Sequence, residues 1–291
     1  MKRKRTKAPA STLCRFALLI SLIFSGTVGT AAQDIDVRQE ERPVIGFYNI
    51  ELGRKYALST YLSPFSYSGT NLAVSGLWTK ALPMNPEHLT MTFEGGMNFG
   101  SFLNKARTAR EFDIHGRFSW GMLWNKRLPN NFMVGGGGDI GFQGGVLYLP
   151  RNGNNPASAD FCFGLGISGF ASWHTTLGRL PILVTERPRI PLVNGFFMPQ
   201  FGEPYYEIYL GNRNGLAHCG WWGNHFALDN LLAVSLDFGR TAMQIGYRFS
   251  MQSVKANHLF CNMVNHAFVI GVIPGGLGLK NKKSNSVNPL Y

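Results

Sequence analysis

Several stretches of this chain alternate bulky apolar residues with small or polar ones at a period of two. From Phe132 to Tyr148 one set reads Phe132, Val134, Gly136, Gly138, Ile140, Phe142, Gly144, Val146 and Tyr148. The other set contains Met133, Asp139, Gln143, Leu147 and four more glycines. Residues two apart share one face of a β-strand, so this pattern predicts a strand with one bulky apolar face and one small, polar face. The split recurs with Phe112, Ile114, Phe118, Trp120, Met122 and Trp124 against Glu111, Asp113, His115, Arg117 and Ser119. It recurs again at 161–174 and 243–252. Such stretches are far longer than the roughly five or six residues of an average globular strand.

Long strands of this kind suit a tilted crossing of a bilayer, with bulky residues outward and charges turned to the lumen. With no apolar run near 18 residues after the N-terminus, helical spans are excluded, and only a closed barrel satisfies every backbone amide in lipid. The fold class expected is therefore all-β, a transmembrane up-and-down antiparallel barrel. Gly239-Arg240 reads as a tight periplasmic turn. Counting outward from it gives ten strands near 53–62, 69–80, 87–99, 110–124, 131–148, 158–176, 180–194, 228–238, 241–252 and 257–273. Tyr205–Leu210 offers an extra hairpin, so twelve strands is the alternative. The longest loop, about 195–227, then faces outside the cell.

The N-terminus changes how the charge is read. Lys2, Arg3, Lys4, Arg5 and Lys7 precede an apolar run, 16–24, and small residues lead to Thr30-Ala31-Ala32. That order describes a cleaved secretory signal peptide over 1–32. Segment 33–52 is then a periplasmic start, 53–273 the barrel, and 274–291 a polar basic periplasmic tail. The formal net charge is +12, but the leader holds six of the 28 Lys/Arg and none of the 16 Asp/Glu, which leaves 22 against 16, or +6. No basic stripe with interleaved aromatics remains, so no nucleic-acid partner is expected. Expected partners are outer-membrane lipids, the barrel-assembly machinery during biogenesis and something that touches the outer loops. The expected location is the outer membrane of a Gram-negative cell. Cys162, Cys219 and Cys261 are too sparse and odd in number for a disulfide framework.

Candidate chemistry is thin. Asp113, His115, Arg117 and Ser119 share the luminal face of one strand, joined by His88 and Glu94, Asp139, and Arg187 and Arg189 from other strands. Asp113, His115 and Ser119 are the catalytic candidates, yet same-strand neighbours stand about 6–7 Å apart along the rise, beyond direct hydrogen-bond reach unless long side chains bend. Small barrels fill their interiors with paired charges without any catalyst. Ser172-Trp173-His174 matches a lipid-hydrolysing pair poorly in order and face. His218, Cys219, Trp221, Trp222, His225 and Asp229 are assigned to the outer loop, where no closed zinc spacing appears and aromatics suit an interfacial girdle. Gly136–Gly141 satisfies a dinucleotide-binding spacing but lies inside a strand with no helix after it. No metal and no cofactor is expected. The first reading is a structural or interaction barrel acting through its outer loops. A narrow channel and a lipid-modifying hydrolase are the alternatives.

Four blocks carry a resemblance. They are Thr60-Tyr61-Leu62-Ser63-Pro64 with Tyr67 and Gly69, Arg151–Ala157, Pro199-Gln200-Phe201-Gly202 with Pro204–Ile208, and Asn257-His258-Leu259. Together they resemble an uncharacterised family of exported Bacteroidetes proteins, classed as a domain of unknown function and thought to be outer-membrane barrels. The resemblance implies location and fold. It implies no activity and no catalytic residue.

Overall fold

The computed structural model describes residues 44–278. Eleven strands follow one another in the chain: β1 Ile45–Ser59, β2 Tyr67–Ala81, β3 Leu89–Asn104, β4 Arg110–Leu128, β5 Phe132–Tyr148, β6 Ala157–Leu177, β7 Leu180–Phe197, β8 Ala217–Trp221, β9 His225–Asp237, β10 Thr241–Ala256 and β11 Leu259–Pro274. A single-turn helix, α1 Tyr205–Tyr209, lies between β7 and β8. Each long strand pairs antiparallel with its predecessor, β7 pairs with β9, and β11 returns to pair with β1. Ten strands thus close into one up-and-down barrel with no free edge, as the alternation predicts.

The wall departs from expectation in two places. The first strand begins at Ile45, so Ile45–Leu52 belong to the barrel and not to the segment before it. The twelve-strand alternative fails: Tyr205–Tyr209 is helical, and β8 pairs only with Val193–Phe197 at the end of β7. Residues 1–32, most of the segment 33–52 and nearly all of the basic tail beyond Leu277 lie outside the described residues.

Turn chemistry explains the reversals at both ends. Asn130 and Asn131 between β4 and β5, and Asn257 and His258 between β10 and β11, all have positive φ near 50–63°. Two consecutive residues in that region match the twist of a tight hairpin. Gly239 (φ 100°) serves β9–β10. The β7-to-β9 connection is the longest, so we refer to its end of the barrel as the loop end and to the opposite end, with Gly239, as the turn end.

The two faces of the wall sort by residue type. Ile50, Leu52, Val74, Phe99, Ile114, Phe142, Phe163, Leu165, Ile245 and Ile270 are exposed on the outer face. An apolar band of this extent circling a molecule exceeds what soluble monomers show. Toward the turn end it is bordered by aromatics in contact: Tyr48 with Trp78 (5.8 Å between ring centres), Trp78 with Phe93 (5.5 Å), and Phe132 with Trp173 (5.7 Å).

The lumen is layered, which the alternation did not foretell. A buried apolar cluster built on Phe47, Leu123, Phe170, Leu183 and Ile273 closes the turn end. A second, built on Phe102, Leu147, Phe196, Met198 and Leu259, closes the loop end. Between them the interior is polar.

Candidate functional site

The polar layer is a network of ion pairs contributed by most of the strands. Arg248, from β10, is 2% exposed and meets three carboxylates: Nη1 lies 2.6 Å from Asp229 Oδ1, Nη2 2.8 Å from Glu94 Oε1, and Nε 3.2 Å from Glu51 Oε1. Arg117 Nη2 donates to the same Glu51 oxygen at 3.0 Å, and Ser75 Oγ donates to it at 2.6 Å. Arg189 Nε donates to Asp139 at 2.7 Å, with Ser168 Oγ on the other Asp139 oxygen at 2.5 Å. Arg187 points into the turn-end cluster and lies over the rings of Phe170 and Phe47, at 4.7 and 5.6 Å. Glycines on the polar face make room for these groups: a Cβ on Gly141 would collide with the Arg189 guanidinium, and one on Gly145 with the His115 ring.

A second cluster lies nearer the loop end. Lys55 Nζ donates to Asp113 Oδ2 at 2.6 Å, Asn98 Nδ2 reaches the same oxygen at 2.7 Å, and His115 Nδ1 bonds Asp113 Oδ1. Asp113 and His115 therefore do meet, contrary to the spacing argument, because both side chains lean toward each other across the pleat. His115 Nε2 lies 3.5 Å from Asp160. Gln143 Nε2 bonds Gln252 Oε1 at 2.5 Å, and Gln252 Nε2 bonds Asp160 at 3.2 Å. His225 Nδ1 is held by Asn194 Nδ2 at 2.6 Å.

Lys55, Asn98, His115, Gln143, Asn194 and His225 line a cavity of 130 Å³. His115 Nε2, His225 Nε2 and Asn194 Oδ1 have no hydrogen-bond partner among the described residues. Room and unmet polar atoms make the cavity suited to water. Among the described residues no group of three His, Cys, Asp or Glu side chains is placed to hold a metal ion.

The sequence candidates sort accordingly. Asp113 and His115 form a pair, but Ser119 stands four residues further along β4, about 13 Å away at the strand rise, beside Glu94 and Gly141 in register. No serine–histidine–aspartate arrangement exists there. Glu94, Asp139, Arg187 and Arg189 are luminal, as expected. His88 is not: it precedes β3, stacks on Trp124 at 5.2 Å and bonds Asn125 O. His225, assigned to the loop by sequence, and Asp229, grouped with it but inside the expected strand 228–238, are luminal residues of β9. Ser172 is buried in the lumen while Trp173 faces out. Glu51, Lys55, Asp160 and Arg248 are central groups that were not singled out. Cys162, Cys219 and Cys261 are all free.

The loop end is itself an ordered cap. Asn257 Nδ2 donates to the carbonyls of Gly215 (2.9 Å) and Met198 (3.1 Å). Tyr61 Oη donates to Glu203 O at 2.7 Å, Asn152 Nδ2 to Leu62 O at 2.9 Å, and Ala159 N to Tyr205 Oη at 2.7 Å. Burial beside Tyr205 and Glu203 raises the Tyr61 phenol above its ordinary range, so it stays a donor. Glu203 in turn accepts from Gln200 N and Asn212 Nδ2. Tyr61, Asn152, Tyr205 and Asn257 come from the four blocks that carry the family resemblance, which converge here although Thr60 and Phe260, bonded at the same end, are 200 residues apart. The cap leaves Phe201, Tyr206, Tyr209 and Leu210 exposed.

Comparison with known proteins adds the following. A family model described as "Protein of unknown function (DUF3316)" matches residues 14–283. No curated protein matches the chain. Among solved structures it is similar to Neisserial surface protein A (12% identity, TM-score 0.33, covering 79% of this chain and 96% of that one). It is also similar to the translocator domain of the autotransporter NalP from Neisseria meningitidis (9%, 0.36, 91% and 95%). The transport unit of the autotransporter AIDA-I from Escherichia coli is a third (10%, 0.37, 88% and 96%).

Proposed function

The chain belongs to the DUF3316 family of proteins of unknown function, and from that premise we propose that it is an outer-membrane barrel with a sealed lumen that acts as an interaction protein through its loop-end cap. A cleaved signal peptide exports it, its outer band contacts outer-membrane lipids, and assembly machinery inserts it. An origin in the Bacteroidetes fits the resemblance of the loop blocks. The observation that carries the reading is the cap: the blocks that carry the resemblance tie the loops into one hydrogen-bonded surface above the charge-lined interior.

Filling argues against a channel. Ten strands leave an interior little wider than side chains occupy, and here apolar layers close both ends of it. The purified full chain in a planar bilayer is expected to give no steady conductance above the bare membrane. In cells, a photocrosslinker at Tyr209 is expected to trap a discrete product, and one at Leu177 near the turn end is not. Stable unitary currents, or the same products from both positions, would sink the reading.

One observation favours a hydrolase as the second reading: His115 is oriented by Asp113 at Nδ1 and turns Nε2, 3.5 Å from Asp160, to a cavity. No hydroxyl nucleophile is bonded to it among the described residues, and a pair without a nucleophile lacks a step of acyl transfer. Mass spectra of outer-membrane lipids are therefore expected to be the same with wild type, His115→Ala and no protein. A change in acyl chains or headgroups restored by wild type and lost in His115→Ala would reverse the order of the two readings.

A further inference from the structure

Arginines in the lumen all have company. Arg117, Arg189 and Arg248 meet carboxylates, and Arg187 lies on two aromatic rings. Arg54 stands on the outer face of β1, between the inward-facing Lys55 and Gly53, and among the described residues no carboxylate pairs with it. Its Nη2 lies 3.4 Å from Ser68 Oγ, and its guanidinium 5.6 Å from the centre of the Tyr56 ring. Both contacts are on the loop-end side: Tyr56 is two residues further along β1, and Ser68 is its register partner on β2. The side chain thus runs up the outer wall toward the loop end, as long cationic side chains do when leaving hydrocarbon for a headgroup layer.

The surroundings define what would meet it. Below Arg54 on the outer face are Leu52 and Ile50, both exposed and apolar. Its register partner on β11 is His266, also outward, whose Nδ1 lies 2.5 Å from Tyr247 Oη and whose ring packs 5.1 Å from Phe249. Lys255, at the loop end of β10, lies 5.1 Å over Phe260. Arg54 and His266 therefore stand side by side on the outer face of β1 and β11, while Lys255 lies six residues beyond the level of His266 on β10, about 20 Å nearer the loop end at the strand rise. An outward carboxylate, Glu186 on β7, is bonded by Asn230 and separated from β1 by β9, β10 and β11. A guanidinium against lipid with unfilled donors calls for an anion, and a phosphate oxygen pair matches its fork.

We infer that this part of the wall binds the phosphate of a membrane lipid in the loop-end leaflet, with Arg54 as anchor and His266 beside it. The inference rests on the membrane reading proposed above. It would give the barrel a lipid of fixed position at one seam of its wall. The ligand class is a phosphate-bearing lipid headgroup, and the probe that tests it is diphosphoryl lipid A.

The test is native mass spectrometry of the full chain released from detergent after titration with diphosphoryl lipid A or the same lipid stripped of phosphate. Wild type is expected to retain the phosphorylated form about tenfold better, a difference of about 1.4 kcal/mol. Arg54→Gln is expected to lose most of that preference, and Arg54→Lys to keep part of it, since a point charge replaces the fork. Arg179→Gln, in the β6–β7 turn at the opposite end, is expected to behave as wild type. Full retention in Arg54→Gln overturns the inference, and so does an equal loss in Arg179→Gln, which would mean nonspecific charge attraction. Insertion of each variant into phosphatidylcholine vesicles is scored alongside. Insertion without phosphate preference removes this inference alone, whereas failure of wild type to insert removes the membrane reading beneath it.

Discussion

Arg248→Ala is expected to destabilise the barrel by about 3–5 kcal/mol, the cost of stranding buried charge by deleting its partner. Arg248 faces Glu51, Glu94 and Asp229 together. Its removal leaves three carboxylates converging on an empty space, with Arg117 alone to offset Glu51 and Glu94. Like charges repel there, and the buried Glu51 side chain, 1% exposed, has no water to turn to. Urea titration of the vesicle-refolded protein, followed by tryptophan fluorescence, should show the midpoint falling with little change in slope. Adding Glu51→Gln to Arg248→Ala should recover part of the loss, because one stranded charge goes with it. A loss within about 0.5 kcal/mol, the range of an ordinary surface change, would mean that the lumen is wet enough to solvate the network.

The second large effect concerns the outer face. Ile140 sits near the middle of β5, points outward, and has Trp120 and Leu165 as register neighbours. Ile140→Arg is expected to cost about 2–4 kcal/mol in a bilayer, the depth-dependent penalty for a cation on a lipid-facing strand near the midplane. The same urea titration in vesicles reads it. Were the outer band wetted by water, the substitution would be nearly neutral, so a change within about 0.5 kcal/mol would count against the membrane reading itself.

Legibility in the sequence followed the strength of the alternation. Where glycine and small polar residues oppose aromatics without interruption, as in β5, the strand and its faces were readable end to end. The expected first strand starts at 53, after Glu51 interrupts the apolar residues of Ile45–Leu52, and Arg54 breaks the rule by placing a charge outward. The Tyr205–Tyr209 segment read as a possible hairpin because its aromatics are too few to separate a period of two from one helical turn. His225 read as loop because β9 begins three residues before the expected strand at 228. The networks themselves were beyond reach in a different way. Backbone spacing alone puts Asp113 and His115 beyond direct hydrogen-bond reach, while their meeting depends on side-chain lean. The contacts of Arg248 and Asn257 join strands whose adjacency exists only after closure.

That closure has a temporal side. β11 pairs with β1 over twelve residue pairs, from Tyr48 opposite Val272 to Ser59 opposite Cys261, and these partners are about as far apart in sequence as the described chain allows. Every other long strand can find its neighbour across a connection of local length. The seam waits for the last strand. Until Leu259–Pro274 arrive, the growing sheet keeps two unsatisfied edges, and edges of this length invite pairing with other chains. Completion of the wall, burial of the charge network between its two apolar lids and ordering of the cap around Asn257 are consequently one late event in the life of the chain.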